Sequence, residues 1–130
     1  MQTLPIRLYG TAAGTGDASD LANIIIPRAG RIAGINAVFL PEESQTGDDQ
    51  WNMQVSMVSV AQFTQNDVQN VLLDMAGAAM HHGSPTSGQV SSFSQFVQLN
   101  VLVAAGIKVY LHVNAMTISD IFIANIYLEI

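Results

Sequence analysis

The chain has 130 residues, enough for one domain, and only 11% of them are charged, against about 25% in a typical soluble domain. Four cations stand against ten acids, and this net charge of −6 excludes the clustered Lys and Arg of sequence-independent nucleic-acid binding. The lack of cysteine excludes disulfides and thiolate metal sites, and the apolar stretches are too short for a membrane-spanning helix. We therefore expect a single domain over residues 1–130 without a nucleic-acid or membrane partner, whose low charge indicates surface buried in an assembly.

Alternation of apolar and polar residues predicts strands along most of the chain. In chain order they are Thr3–Tyr9, Asn23–Pro27, Arg31–Leu40, Trp51–Val58, Val97–Val103, Ile107–Asn114 and Ile121–Ile130. The first strand carries Pro5, which an edge strand tolerates because the ladder needs no donor there. The last strand is apolar in both phases, which is typical of a central strand covered on both sides.

The segments between these strands are predicted to be loops, with one helical exception. The loops are Gly10–Asp20, Pro41–Gln50 and Gly77–Ser92, which are polar or rich in glycine and serine. A short helix is predicted over Asp67–Ala76, because four apolar residues between Val68 and Met75 recur at helical spacing. Binding residues concentrate on loops, so the three loops are candidates for partner contact.

Two short segments share one pattern: an apolar run, then a glycine with a cation within two positions of it, then a renewed apolar run. One extends from Ile24 to Ile32 through Gly30, and the other from Val101 to Val109 through Gly106. A glycine between two strands supplies the positive φ that a tight reversal needs. Both segments therefore predict corners, and two corners among seven or eight short strands indicate an all-β sandwich.

The first corner, Ile25–Ile35, resembles the apolar-apolar-Pro-x-x-Gly-x-Ile corner of jelly-roll heads of the tumour-necrosis-factor and complement-C1q type. The same corner occurs in trimeric domains of phage decoration (cement) proteins, phage fibres and bacterial spore-surface proteins. Asn100–His112 is similar to the penultimate hairpin of these domains. The resemblance implies a jelly-roll β-sandwich, here with the short helical insertion, that assembles as a homotrimer.

The resemblance also implies a structural function. The expected protein is a bacteriophage decoration or cement protein that binds between major capsid subunits on the virion surface and needs no cofactor. The chain lacks the collagen-like stalk of the spore-surface and complement members, which favours a protein docked on a surface. Two alternatives stay open: a phage fibre or receptor-binding head that recognises host glycans, and a cellular C1q-like binding module.

Five residues are candidate partner contacts. Arg28 and Arg31 flank the first corner, where they would meet either an acidic capsid patch or acids of this chain. Trp51 offers an aromatic face on which a sugar can stack. His81 and His82 form an adjacent pair of imidazoles in a predicted loop.

The last strand is the predicted trimer contact. In the resembled trimers the final strand lies close to the three-fold axis. By that resemblance Ile126, Leu128 and Ile130, which share one phase of the strand, are assigned to the trimer interface.

No residue set predicts catalysis or a metal centre. The histidine pair supplies at most two ligands, whereas zinc takes three or four. The acidic pairs in the loops lack the Asp-x-Asp-x-Asp-Gly order of a calcium loop, and no serine lies in Gly-x-Ser-x-Gly. We therefore expect a protein that is not an enzyme.

Overall fold

The computed structural model describes residues 2–11, 19–40, 47–59, 71–82, 93–115 and 121–130. Its eight strands are β1 (Thr3–Thr11), β2 (Ser19–Ile25), β3 (Gly30–Leu40), β4 (Gly47–Ser56), β5 (Val71–His82), β6 (Phe93–Val103), β7 (Lys108–Ala115) and β8 (Ile121–Glu129). They form two antiparallel sheets of four strands. The first sheet has the order β1-β8-β3-β6 and the second has the order β2-β7-β4-β5. Among the described residues, no helix is long and apolar enough to cross a membrane.

The pairing of the strands follows one rule along the whole chain. β1 pairs with β8, β2 with β7, β3 with β6, and β4 with β5. The chain is thus an antiparallel ribbon that turns back between β4 and β5. Rolling the ribbon adds the pairs β3–β8 and β4–β7. This is the strand order of a double-sheet jelly roll, so the predicted all-β jelly-roll sandwich is confirmed.

The two predicted corners lie side by side in the rolled ribbon. The backbone N–H of Ile26 donates to the carbonyl of Ile107 at 2.8 Å, and that of Gly106 donates to the carbonyl of Ile26 at 2.9 Å. Gly106 has a φ of 90°, which L side chains rarely adopt. At Gly30, a Cβ would overlap the carbonyl oxygen of Glu129. The shared sequence pattern therefore marks where both arms of the ribbon pass between the sheets.

The core fills the space between the two sheets. Phe39 and Phe122 lie at its centre, with ring centroids 5.0 Å apart. The other apolar side chains that have no exposed surface, among the described residues, come from both sheets and from the first corner: Ile26, Ile32, Ile35, Ala37, Met53, Val55, Val109, Leu111, Ala124, Ile126 and Leu128. Alternation of inward apolar residues, interrupted by bulges in β3 and β5, thus supplies one continuous core.

The predicted helix over Asp67–Ala76 is wrong in its described part. Residues 67–70 lie outside the described residues, and the rest of the segment belongs to β5. The register between β4 and β5 shifts where Val55 and Ser56 face Leu73 and Val71, so Leu72 is an extra residue. Leu72 and Leu73 are both buried. This bulge turns two successive side chains inward and thereby produces an apolar spacing like that of a helix.

The three predicted loops are shorter than expected. Gly10–Thr11 belongs to β1, Ser19–Asp20 to β2, Gly47–Gln50 to β4 and Gly77–His82 to β5. Each of these strands extends into the predicted loop because its partner strand extends equally far. In the β4–β5 ladder, for example, Gly47 pairs with His82. The remaining parts of these loops, 12–18, 41–46 and 83–92, lie outside the described residues.

The structure corrects the assignment of Ile126 and Leu128 to a trimer interface. Both side chains are completely buried between the sheets of a single chain, so they are not accessible to a partner. Ile130 is half-buried, and its backbone exchanges hydrogen bonds with Gln2 at 2.9 and 3.1 Å. The homotrimer itself stays a prediction.

Candidate docking face

The outer face of the first sheet carries a row of polar side chains that crosses all four strands. Arg7 Nε donates to Asn125 Oδ1 at 3.0 Å, and Asn125 Nδ2 donates to Asn36 Oδ1 at 3.4 Å. Asn36 Nδ2 donates in turn to Ser94 Oγ at 3.3 Å. We call these four residues the amide row. The hydrogen bonds hold the side chains in place, and they leave the surface with amide groups and one cation.

Apolar side chains lie on one side of the amide row. Tyr9 is 65% exposed, Leu40 37% and Ile121 38%. Register places Tyr9 beside Ile123, Ile123 beside Val38, and Ile121 beside Leu40. These five residues form a contiguous apolar patch over β1, β8 and β3. Exposed apolar groups that lie together, and not singly, are typical of a contact surface.

An aromatic pair lies on the other side of the amide row. The rings of Phe96 and Tyr127 have centroids 6.1 Å apart and are tilted by 53°. Phe96 is 56% exposed. A Cβ at Gly34 would overlap the Phe96 ring, so glycine at this position is what lets the ring lie against β3. The pair adds a wide aromatic surface to this side of the first sheet. We call the amide row, the apolar patch and this aromatic pair together the docking face.

Arg31 lies at the end of the docking face, beside the first corner. Its guanidinium forms an ion pair with the Glu129 carboxylate and donates to Asn100 Oδ1 at 3.3 Å. Arg31 and Glu129 line an open depression together with Ala29, Gly30, Leu102, Val103 and Ile130. The sequence leaves two partners open for Arg31, an acidic patch of the capsid or an acid of this chain. The structure places an acid of this chain, Glu129, beside it. Arg28 is exposed in the turn between β2 and β3.

The other three predicted contact residues belong to the second sheet. Trp51 lies in β4, opposite Gly77. His81 and His82 lie in β5, opposite Asp48 and Gly47. Their side chains are outside the part that the structure describes. Of the five predicted contact residues, Arg31 therefore lies in the first sheet, Arg28 in the turn between the two sheets, and the other three in strands of the second sheet.

Most residues of the docking face do not stand out in the sequence as contact residues. The available signal was an amide inside an otherwise apolar strand, as at Asn125 between Ala124 and Ile126. Asn36, between Ile35 and Ala37, carries the same signal. An amide in such a position points away from the core, so its neighbours two residues away are candidates for the same outer surface.

His112 occupies the outer face of the second sheet. It lies in a row with Asp20, Gln54 and Asp74 from the three other strands, and it is only 5% exposed. Burial lowers the pKa of His112 below its ordinary 6.5, and the nearby carboxylates of Asp20 and Asp74 oppose that shift. Within the described ranges, no group of three or more His, Cys, Asp or Glu is placed to hold a metal ion.

The lowered pKa of His112 predicts a loss of stability in acid. Well above pH 6.5 the imidazole is neutral in both the folded and the unfolded chain, so it adds no pH dependence there. As the pH falls below 6.5, the unfolded chain takes up the proton first, and the free energy of unfolding decreases until the folded-state pKa is passed. We expect His112→Gln to remove this decrease, measured by urea unfolding between pH 7 and pH 5. An identical pH dependence in both proteins would contradict the prediction.

No family model matches this chain, and no match is found among curated proteins. Three solved structures resemble it in fold. They are dimeric latent PorU from Porphyromonas gingivalis (8% identity, TM-score 0.45), Desmodium yellow mottle tymovirus (11%, 0.43) and infectious bursal disease virus strain Gx (8%, 0.42). The alignments cover 98%, 98% and 95% of this chain. They cover 13% of the PorU chain, 86% of the tymovirus chain and 32% of the bursal disease virus chain.

Proposed function

We propose that this chain is a structural protein of a bacteriophage virion, which decorates the capsid surface and binds between major capsid subunits as a cement. The docking face is the observation that carries this proposal. Arg31, at the end of the face, is paired with the Glu129 carboxylate, and Arg7, the one cation within the face, donates to the amide oxygen of Asn125. What remains for a partner is amide, aliphatic and aromatic surface with the single cation of Arg7. The cores of protein interfaces have this composition, being poor in unpaired charge and rich in aromatic residues.

The chemistry of the whole chain supports the same role. With 11% charged residues, the chain has little charge to desolvate when several of its faces are covered. The amide row is hydrogen-bonded before any partner arrives, so little side-chain freedom is lost on docking. On a symmetric shell, many copies of one modest contact add up to a strong reinforcement.

The test uses particles of the source virus from which this protein has been removed. We expect the recombinant chain to co-sediment with the shells and to raise the temperature at which they release their contents. Tyr9→Glu places a charge on the apolar patch and is expected to weaken binding by about tenfold or more, because buried tyrosines are common interface hot spots. Asn23→Glu, on an exposed position of β2 in the second sheet, is the matched control and should bind as the unmodified chain does. Shells that bind neither the unmodified chain nor the Asn23→Glu control would contradict the proposal.

A second candidate function, glycan recognition by a fibre or receptor-binding head, is favoured by the aromatic pair. Sugars stack on exposed aromatic rings, and the amides of Asn36 and Asn125 lie close by. This function predicts a signal on a glycan array that Phe96→Ala abolishes. Glycan binding together with an absence of shell binding would favour the fibre head over the cement.

A further inference from the structure

The edge formed by β6 differs from the other sheet edges that the structure describes. Within the described residues β6 pairs with β3 alone, and Phe93–Val103 contains no charged residue and no proline. The other three edge strands all carry such a residue: Pro5 and Arg7 in β1, Asp20 in β2, and Asp74 in β5. Edge strands are normally protected in this way, because their free N–H and C=O groups pair readily with another strand.

The side chains of β6 are also incompletely covered. Leu102 is 82% exposed, and Gln98 is exposed on the same outer face. On the inner face, Val97 and Leu99 pack against the core but are only half-buried at the margin of the sandwich. A strand laid along this edge would therefore satisfy the backbone groups and cover apolar side chains on both faces.

We propose that β6 pairs antiparallel with β6 of a second copy of this chain, about a two-fold axis at Gln98. Gln98 is the midpoint of Phe93–Val103, so this register pairs every residue of the strand. The two first sheets then form one continuous sheet of eight strands. A two-fold contact of this kind uses the same surface on both copies and closes on itself.

A second copy fits this edge because the strand is complementary to itself. About the two-fold axis, Val97 faces Leu99 of the second copy on the inner side. Phe96 faces the second copy's Asn100 on the outer side, and the two Gln98 amides face each other. No like charges are opposed, which would otherwise weaken a cross-strand pair.

The dimer uses the edge of the first sheet and leaves the apolar patch uncovered. With the two-fold axis perpendicular to the joined sheet, both docking faces point in the same direction. The proposal is independent of the virion function, although a dimer with two parallel faces would bind a symmetric shell more tightly than one chain.

Sedimentation equilibrium of the purified chain tests the proposal. We expect a dimer of about 28 kDa, twice the 13.9 kDa of one chain. Gln98→Lys and Gln98→Glu each oppose like charges across the axis, so each alone should raise the dissociation constant by about tenfold or more. An equimolar mixture of the two variants should restore the dimer, because Lys then faces Glu. Thr3→Lys, an exposed position on the opposite edge of the same sheet, is the control and should dimerise normally.

Three results would overturn the proposal. The first is an unmodified chain that stays a 13.9 kDa monomer, and the second is the competing homotrimer of about 42 kDa that the sequence resemblance implies. The third is a dimer whose dissociation constant is the same in Gln98→Lys. Circular dichroism of each variant establishes that the fold is kept, and the charge-swapped mixture separates loss of pairing from loss of folding.

Discussion

Deletion of Tyr127–Ile130 is expected to leave a chain that does not fold. These residues end β8, the strand that joins β1 to β3 in the first sheet. The deletion removes Leu128 from the core, where full burial of one such side chain is worth about 1.5–3 kcal/mol. It also removes Glu129, the partner of Arg31, and leaves the start of β1 without a ladder and the start of β3 paired with β6 alone. Together these losses approach the net stability of a domain, about 5–15 kcal/mol.

Far-UV circular dichroism and thermal unfolding measure this effect. Deletion of Gln2 and Thr3 is the control, because these residues pair with the same end of β8 from the edge of the sheet. The control deletion loses two backbone hydrogen bonds to Ile130 and should lower the melting temperature only slightly. A truncated chain with an unchanged melting temperature would show that the end of β8 is peripheral.

Phe122→Ala is expected to destabilise the fold by about 3–5 kcal/mol, the usual range for removing a buried phenylalanine. Phe122 has no exposed surface, and its ring packs on that of Phe39 at the centre of the core. The substitution removes apolar burial and leaves a cavity that two rigid sheets cannot close.

Phe96→Ala is the matched control for Phe122→Ala, since it removes the same atoms from a side chain that is 56% exposed. Its contact with Tyr127 is lost, but no cavity forms in the core. Urea unfolding of both variants should give a much larger loss for Phe122→Ala. Equal losses would mean that the docking face contributes to stability as strongly as the core does.

Much of the fold could be predicted from the sequence, because apolar alternation survives in most strands. Prediction of the inward-facing residues from this alternation fails where the pairing of a strand has an irregularity. In β3, Ile32 and Ile35 both point inward, although simple alternation assigns them to opposite faces. The register shifts between Ile32 and Gly34, so one additional residue restores the phase. The bulge at Leu72 had a larger effect, because it made a strand resemble a helix.

The docking face could not be predicted, because its residues are distant in sequence. Arg7 and Asn125 are 118 positions apart, and Asn36 and Ser94 are 58 apart. Each strand shows which residues point outward, but only the register between strands shows which of them are neighbours. Arg31 illustrates the same limit, since its choice between an acid of this chain and an acid of a partner depended on the position of Glu129.

The mirrored pairing of the strands delays folding during synthesis. Of these eight strands, β1 is made first and its partner β8 last, and β2 must similarly wait for β7. Until then, core residues such as Ile32 and Phe39 have no completed sheet to cover them. Folds built on such distant pairings typically form in milliseconds to seconds, and their unfinished chains are prone to aggregate. The yield of native protein should therefore depend on how many nascent chains are present at once.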